Sequence, residues 1–145
     1  MSDKTRIADT AALDFALQCA RRGANVAFPM AEKCPYNIIV DSGGTLFRVR
    51  AKNAGVERST GTLVVNSQKR IPNSAGGGPS TIATPYEKAD IDVLAANFNG
   101  SWYLFNGPEG LPANLKMPAN ATKLRPDLER KKEAWDVLQL ADSGV

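Results

Sequence analysis

Histidine is absent from the 145 residues, and that absence removes several chemistries at once. A Ser-His-Asp triad, a Cys-His pair and a histidine-ligated metal nuclease are all out of reach. Cysteine is scarce: Cys19 and Cys34 are the only two. Without histidine they are too few for an ordinary zinc site, and they suit a reducing compartment. No run of 18 apolar residues occurs, so nothing reads as a membrane span. Asp3, Lys4, Arg6, Asp9 and Asp14 break up any apolar stretch that could resemble a signal peptide. The expectation is a soluble, cytoplasmic protein. Any hydrolytic chemistry would have to rest on carboxylates, lysine and a hard metal such as magnesium.

What is present is an ordinary globular composition, 43% hydrophobic and 23% charged, long enough for one domain over residues 1–145. The net charge of +3 is a mild basic excess, compatible with a nucleic-acid partner without establishing one. From Thr5 to Arg22 the sequence reads as a helix. Ile7, Ala11, Phe15 and Cys19 recur every fourth residue, beside a second row of Ala8, Ala12, Ala16 and Ala20. Small side chains on that row permit close packing on a sheet. Ser2 or Thr5 suits the N-cap, and Gly23 suits the C-terminal stop. "NVAFP" is a short strand stopped by Pro29. Ile38–Val40, the "DSGG" turn and "TLFRVRAK" form a hairpin.

"GTLVVNS" (61–67) reads as a further strand, and "ADIDVLAANF" with "SWYLFN" as a second hairpin through Asn99–Gly100. Trp102, Tyr103 and Phe105 are expected in the core. Residues 67–85 hold three consecutive glycines and three prolines without an apolar pattern, which predicts a long flexible loop. Residues 126–141 predict a C-terminal helix with Leu128, Trp135, Leu138 and Ala141 on its apolar stripe. The order of elements implies an α/β (α+β) fold. Its central mixed sheet has about five strands, an N-terminal helix packed on one face and a C-terminal helix.

One short stretch stands out. In "FRVRAKNA", Arg48, Arg50 and Lys52 alternate with Phe47, Val49 and Ala51, so a strand would project all three cations from one face. The bland reading is the wet face of a half-buried sheet. Taken alone, Asn37 would cap a strand or bracket a turn. Asp41 in "DSGG" would bond its own backbone, and Asp90 and Asp92 would serve structure.

The succession of a helix ending "RRG", "NVAFP", "CPYNIIVDSGG", "LFRVRAK", "LVVNSQKR", "YEKADIDVLA" and "WYLF" over residues 8–106 resembles the PD-(D/E)XK nuclease superfamily. Within it, the chain looks like the small group I intron homing endonucleases of that fold. The resemblance implies a catalytic centre where carboxylates hold magnesium and a lysine two residues past the second ligand orients water or stabilises developing charge. It implies the first carboxylate at Asn37, the second ligand at Arg50, the lysine at Lys52 and a first-helix glutamate near Ala12. Only Lys52 keeps the family chemistry, because an amide is a weak magnesium ligand and a guanidinium opposes a divalent cation.

The implied function is duplex-DNA binding with an inactive catalytic site and no metal cofactor. Arg48, Arg50, Lys52, Arg58, Gln68, Lys69 and Arg70 would meet DNA, and a homo-oligomer, dimer or tetramer, would span a long site. One alternative is an active Mg²⁺-dependent endonuclease whose ligands have moved to Asp41 or Glu57, or an active parent inactivated by substitution. A second is a protein-interaction module on the same scaffold.

Overall fold

The computed structural model describes residues 3–141 apart from Glu32, Gly76, Pro79, Glu109 and Thr122, with side chains from Thr10 onward. Ser2 and the side chain of Thr5, the suggested helix caps, therefore lie outside the described residues. The elements in chain order are α1 (Asp3–Arg21), β1 (Asn25–Ala27), β2 (Ile38–Ser42), β3 (Thr45–Asn53), β4 (Gly55–Val56) and β5 (Leu63–Asn66). They continue with β6 (Gln68–Pro72), β7 (Thr81–Pro85), β8 (Val93–Phe98), β9 (Ser101–Asn106), β10 (Asn114–Met117), α2 (Pro126–Glu129) and a 3₁₀ turn at Trp135–Leu138. No helix among the described residues is long and apolar enough to cross a membrane.

Five strands form the central sheet in the order β1-β2-β3-β8-β9. The β3–β8 pair is parallel, with Arg50 opposite Leu94, and the other neighbours are antiparallel. The mixed sheet under an N-terminal helix agrees with the sequence reading. Gly23, at φ +89°, ends α1 in the left-handed conformation that glycine adopts at little cost. Asn99 and Gly100, both with positive φ, make the tight turn between β8 and β9.

Strand alternation divides the sheet between two cores. Toward α1 point Ile38, Val40, Val49, Ala51, Val93, Ala95, Trp102 and Leu104, packed with Ala11, Phe15 and Cys19. Away from α1 point Leu94, Ala96, Phe98, Tyr103 and Phe105, covered by Val65, Leu115 and Met117 of a small sheet ordered β10-β5-β4. All central-sheet members of this second core come from β8 and β9. On the same face of β3, the alternation leaves Arg48, Arg50 and Lys52 instead of apolar side chains.

Three stretches differ from the sequence reading. Residues 67–85, expected as a flexible loop, contain a two-stranded ribbon, β6 paired with β7 from Gln68–Pro85 to Pro72–Thr81. Both of its faces are at least partly exposed, so no period-two apolar signal marks it. The strand at 61–67 lies in the small sheet, not the central one, because its partner is β10. β10 lies between Pro112 and Pro118.

The C-terminal helix expected over 126–141 is broken into α2 and the 3₁₀ turn. Between them, Lys131 O accepts from Leu104 N at 3.0 Å and Glu133 N donates to Trp102 O at 2.7 Å. The open edge of β9 requires partners for its backbone, and that need overrides the helical pattern. Leu128, Trp135 and Leu138 are buried as expected, whereas Ala141 is exposed.

Phe15 joins these parts. Its ring meets Trp102 edge-on at 4.9 Å and stacks on Trp135 at 5.5 Å, tying α1, β9 and the C-terminal turn together. Phe15 is fully buried, so Phe15→Ala is expected to cost about 3–5 kcal/mol. Chemical denaturation of the two proteins measures it, and a loss below about 1 kcal/mol would contradict this assignment.

Candidate functional site

The three cations on the outer face of β3 have different surroundings. Arg48 is neutralised: its Nη2 donates to Asp92 Oδ1 at 3.0 Å and its Nε to Oδ2 at 3.2 Å. Further bonds run to the carbonyls of Ala89 and Lys88. Asp92 also accepts from Arg48 N at 2.8 Å. The Arg48 guanidinium holds the Asp92 carboxyl below the usual carboxylate range. Arg48 thus ties β3 to the segment leading into β8. Asp90 does the same for Lys69 at 2.5 Å. Burial alone would raise the Asp90 pKa, but the bonds from Lys69 and from Glu87 N bring it below the ordinary value.

Lys52 is an anchor as well as a charge. Its Nζ donates to Asn66 O at 2.6 Å and Gln68 O at 3.1 Å, pinning the junction of β5 and β6. It also lies 5.1 Å from the centre of the Tyr86 ring. Burial, and then the charge of Arg50, push its pKa down to about 8. Two of its three N–H groups are committed, which leaves one.

Arg50 differs from both neighbours. Among the described residues its guanidinium makes no hydrogen bond and no ion pair, and its Nε is buried without a partner. A buried, unsatisfied donor costs on the order of 1–3 kcal/mol. An unsatisfied buried donor in a folded protein calls for an explanation, and a bound anion or an ordered water supplies one.

Arg50 and Lys52 line a cleft of about 620 Å³ between β3, the ribbon and the segment around Cys34. Lys33, Lys69 and Arg70 also line it, and none of the described lining residues is a carboxylate. Arg70 is held by uncharged partners, Thr81 Oγ1 at 3.1 Å and Thr81 O at 3.0 Å, so its charge persists. Gln68 lines the same cleft. The structure therefore brings together Arg50, Lys52, Gln68, Lys69 and Arg70 from the sequence-predicted set. Arg48 faces the Asp92 side, and Arg58 stands exposed in the turn after β4, outside the lining. Lys33 and Tyr86 were missed: each is a single residue in an irregular segment, and nothing in its immediate sequence marks it.

The positions that the resemblance assigns to metal ligands are otherwise employed. Asn37 Nδ2 donates to Ala51 O at 3.0 Å, and Asn37 Oδ1 accepts from Ala51 N at 2.8 Å. A side chain thus extends the β2–β3 ladder as a backbone amide would. Ala12 is buried in the helix-side core. Asp41 accepts from Gly44 N at 2.9 Å in the hairpin turn, and its partner Leu46 lies roughly 13 Å along β3 from Arg50. Glu57 contacts Thr60 at 3.3 Å and Lys116 at 3.6 Å. Among the described residues no group of three histidine, cysteine, aspartate or glutamate side chains could hold a metal. A divalent cation needs hard oxygen ligands, so an amide committed to backbone beside an unpaired guanidinium does not fit one.

The arrangement as a whole is a cluster of fixed cations, chemically suited to an anion. A family model described as PD-(D/E)XK endonuclease matches residues 1–108, from α1 through β9. Among solved structures, that of the bacterial homing endonuclease I-Ssp6803I is similar, with a TM-score of 0.77. It is 19% identical and the match covers 94% of this chain and 93% of that one, a likeness of fold. No curated protein sequence matches significantly. The family match spans every strand of the central sheet and both walls of the cleft at β3 and the ribbon, and on that ground the chain belongs to the PD-(D/E)XK endonuclease family.

Proposed function

We propose that this chain binds duplex DNA at the cationic cleft, seats a backbone phosphate on Arg50 and Lys52 without a metal ion, and cuts DNA poorly or not at all. The observation that carries the reading is Arg50, a guanidinium with no partner among the described residues, in a cleft whose described lining holds no carboxylate. Guanidinium is the side-chain group best matched to phosphate oxygens. Endonuclease family membership makes DNA the natural polyanion. The β6–β7 ribbon adds support, since the major groove of B-DNA admits a two-stranded ribbon. On this reading Gln68 meets base edges, Arg70 a flanking phosphate and Arg58 adds to the positive field, while Arg48 and Lys69, neutralised by Asp92 and Asp90, hold β3 and the ribbon in place. A single cleft spans few base pairs, so the protein acts on a long site as a dimer or tetramer, inside the cell where its DNA lies.

Fluorescence anisotropy with labelled 30-base-pair duplexes in EDTA tests this directly. Binding should be present without metal and weaken steeply with salt. Arg50→Met should lower affinity on the order of tenfold and reduce the slope of log Kd against log salt by about one. Binding that needs magnesium, with cleavage, would overturn the metal-free part. No binding to any duplex at low salt would leave the scaffold to a protein partner.

Affinity should also fall as pH rises from 7 to 9.5. Lys52 loses its proton near pH 8 in the free protein, while a bound phosphate favours the charged form, so binding takes up a proton there. Lys52→Met should flatten that profile; an unchanged profile would remove Lys52 from the contact.

Restoring the family carboxylate with Asn37→Asp should not restore catalysis. Aspartate has no donor for Ala51 O, so stability should drop by about 1–3 kcal/mol, and its carboxylate would compete with DNA for Arg50. Denaturation midpoints and duplex affinity read both effects, and Mg²⁺-dependent cleavage by this variant would refute the assignment.

A further inference from the structure

We infer that the Arg50–Lys52 cleft is built for a terminal phosphate, a phosphomonoester such as a DNA break presents, more than for the diester of an intact strand. The inference deepens the DNA-binding reading and rests on it. The argument comes from counting donors against oxygens. Within a continuous strand, each phosphorus offers two non-bridging oxygens and a single negative charge. A monoester offers three terminal oxygens and a charge of roughly −1.5 to −2 at neutral pH.

Arg50 has every N–H of its guanidinium uncommitted among the described residues. Its planar fork matches two oxygens on one phosphorus. Lys52 sits two residues on in the same strand, on the same face, and keeps one N–H beyond those given to Asn66 and Gln68. With a diester, the fork takes both non-bridging oxygens and Lys52 must share one of them. With a monoester, the third terminal oxygen meets Lys52, and each of these three donors has an oxygen of its own.

The charges agree with the count. Asp92 and Asp90 neutralise Arg48 and Lys69, but among the described lining residues no carboxylate balances Arg50, Lys52 or Arg70. The surplus suits a ligand carrying more charge than one diester. The volume of about 620 Å³ falls in the range of small-ligand pockets, unlike a flat track along a duplex.

The test compares four duplexes of one sequence in EDTA at fixed salt: intact, nicked with hydroxyls, nicked with a 5′-phosphate and nicked with a 3′-phosphate. One phosphorylated nick should bind at least about tenfold more tightly than the hydroxyl nick, and which one does identifies the terminus. Millimolar inorganic phosphate should erase the difference. Arg50→Lys, which keeps the charge and loses the fork, should abolish the preference between the phosphorylated and hydroxyl nicks. Equal affinity for all nicks overturns the inference and leaves duplex binding standing. Failure of every duplex overturns the DNA reading itself. Thermal protection by inorganic phosphate without any duplex bound would keep the monoester site and remove DNA as its source.

Discussion

The cationic site depends on one geometric constraint, the two-residue alternation of β3 while it is held between β2 and β8. Val49 and Ala51 are drawn into the core under α1, and that burial fixes which way Arg48, Arg50 and Lys52 face. A slip of one residue in the β3–β8 register would send cations into an apolar core. Two side-chain ties guard against it. Asn37 lengthens the β2–β3 ladder by two hydrogen bonds to Ala51, and Arg48 clasps Asp92 just ahead of β8. The site is a by-product of the same alternation that builds the core.

Charge on this face is distributed with a purpose that pairwise inspection would miss. Five basic side chains line the cleft, and β3 carries a sixth in Arg48. The two aspartates of the "DID" sequence bind Arg48 and Lys69, and among the described lining residues no carboxylate balances the remainder. Carboxylates here act as struts at the rim, while the interior is left positive. A family whose ordinary chemistry gathers carboxylates around a metal is here represented by a site with the opposite local sign.

Much of this was legible in the sequence wherever a periodic pattern touched a core. The α1 face of Ala11, Phe15 and Cys19, the β2–β3 hairpin and the β8–β9 hairpin all announced themselves through burial of alternating or fourfold-spaced residues. The ribbon did not, because neither of its faces is buried. β10 was hidden by its brevity: only Leu115 and Met117 turn inward across its four residues. The C-terminal helix failed for a different reason, since the bare edge of β9 claimed Lys131–Glu133 as a partner. At the site, alternation revealed that Arg48, Arg50 and Lys52 share a face. Their different fates depend on Asp92, Asn66 and Gln68, which lie between 14 and 44 residues away, and no local pattern encodes that.

The segment that covers β9 has a consequence for how the chain comes into being. Residues 131–135 supply the last backbone partners of the central sheet and the Trp135 ring that stacks on Phe15. During synthesis, α1 and all five strands leave the ribosome well before them. The nascent chain therefore carries an open sheet edge and a half-covered Phe15 until residues 131–135 emerge, and the central sheet stays incomplete through that interval.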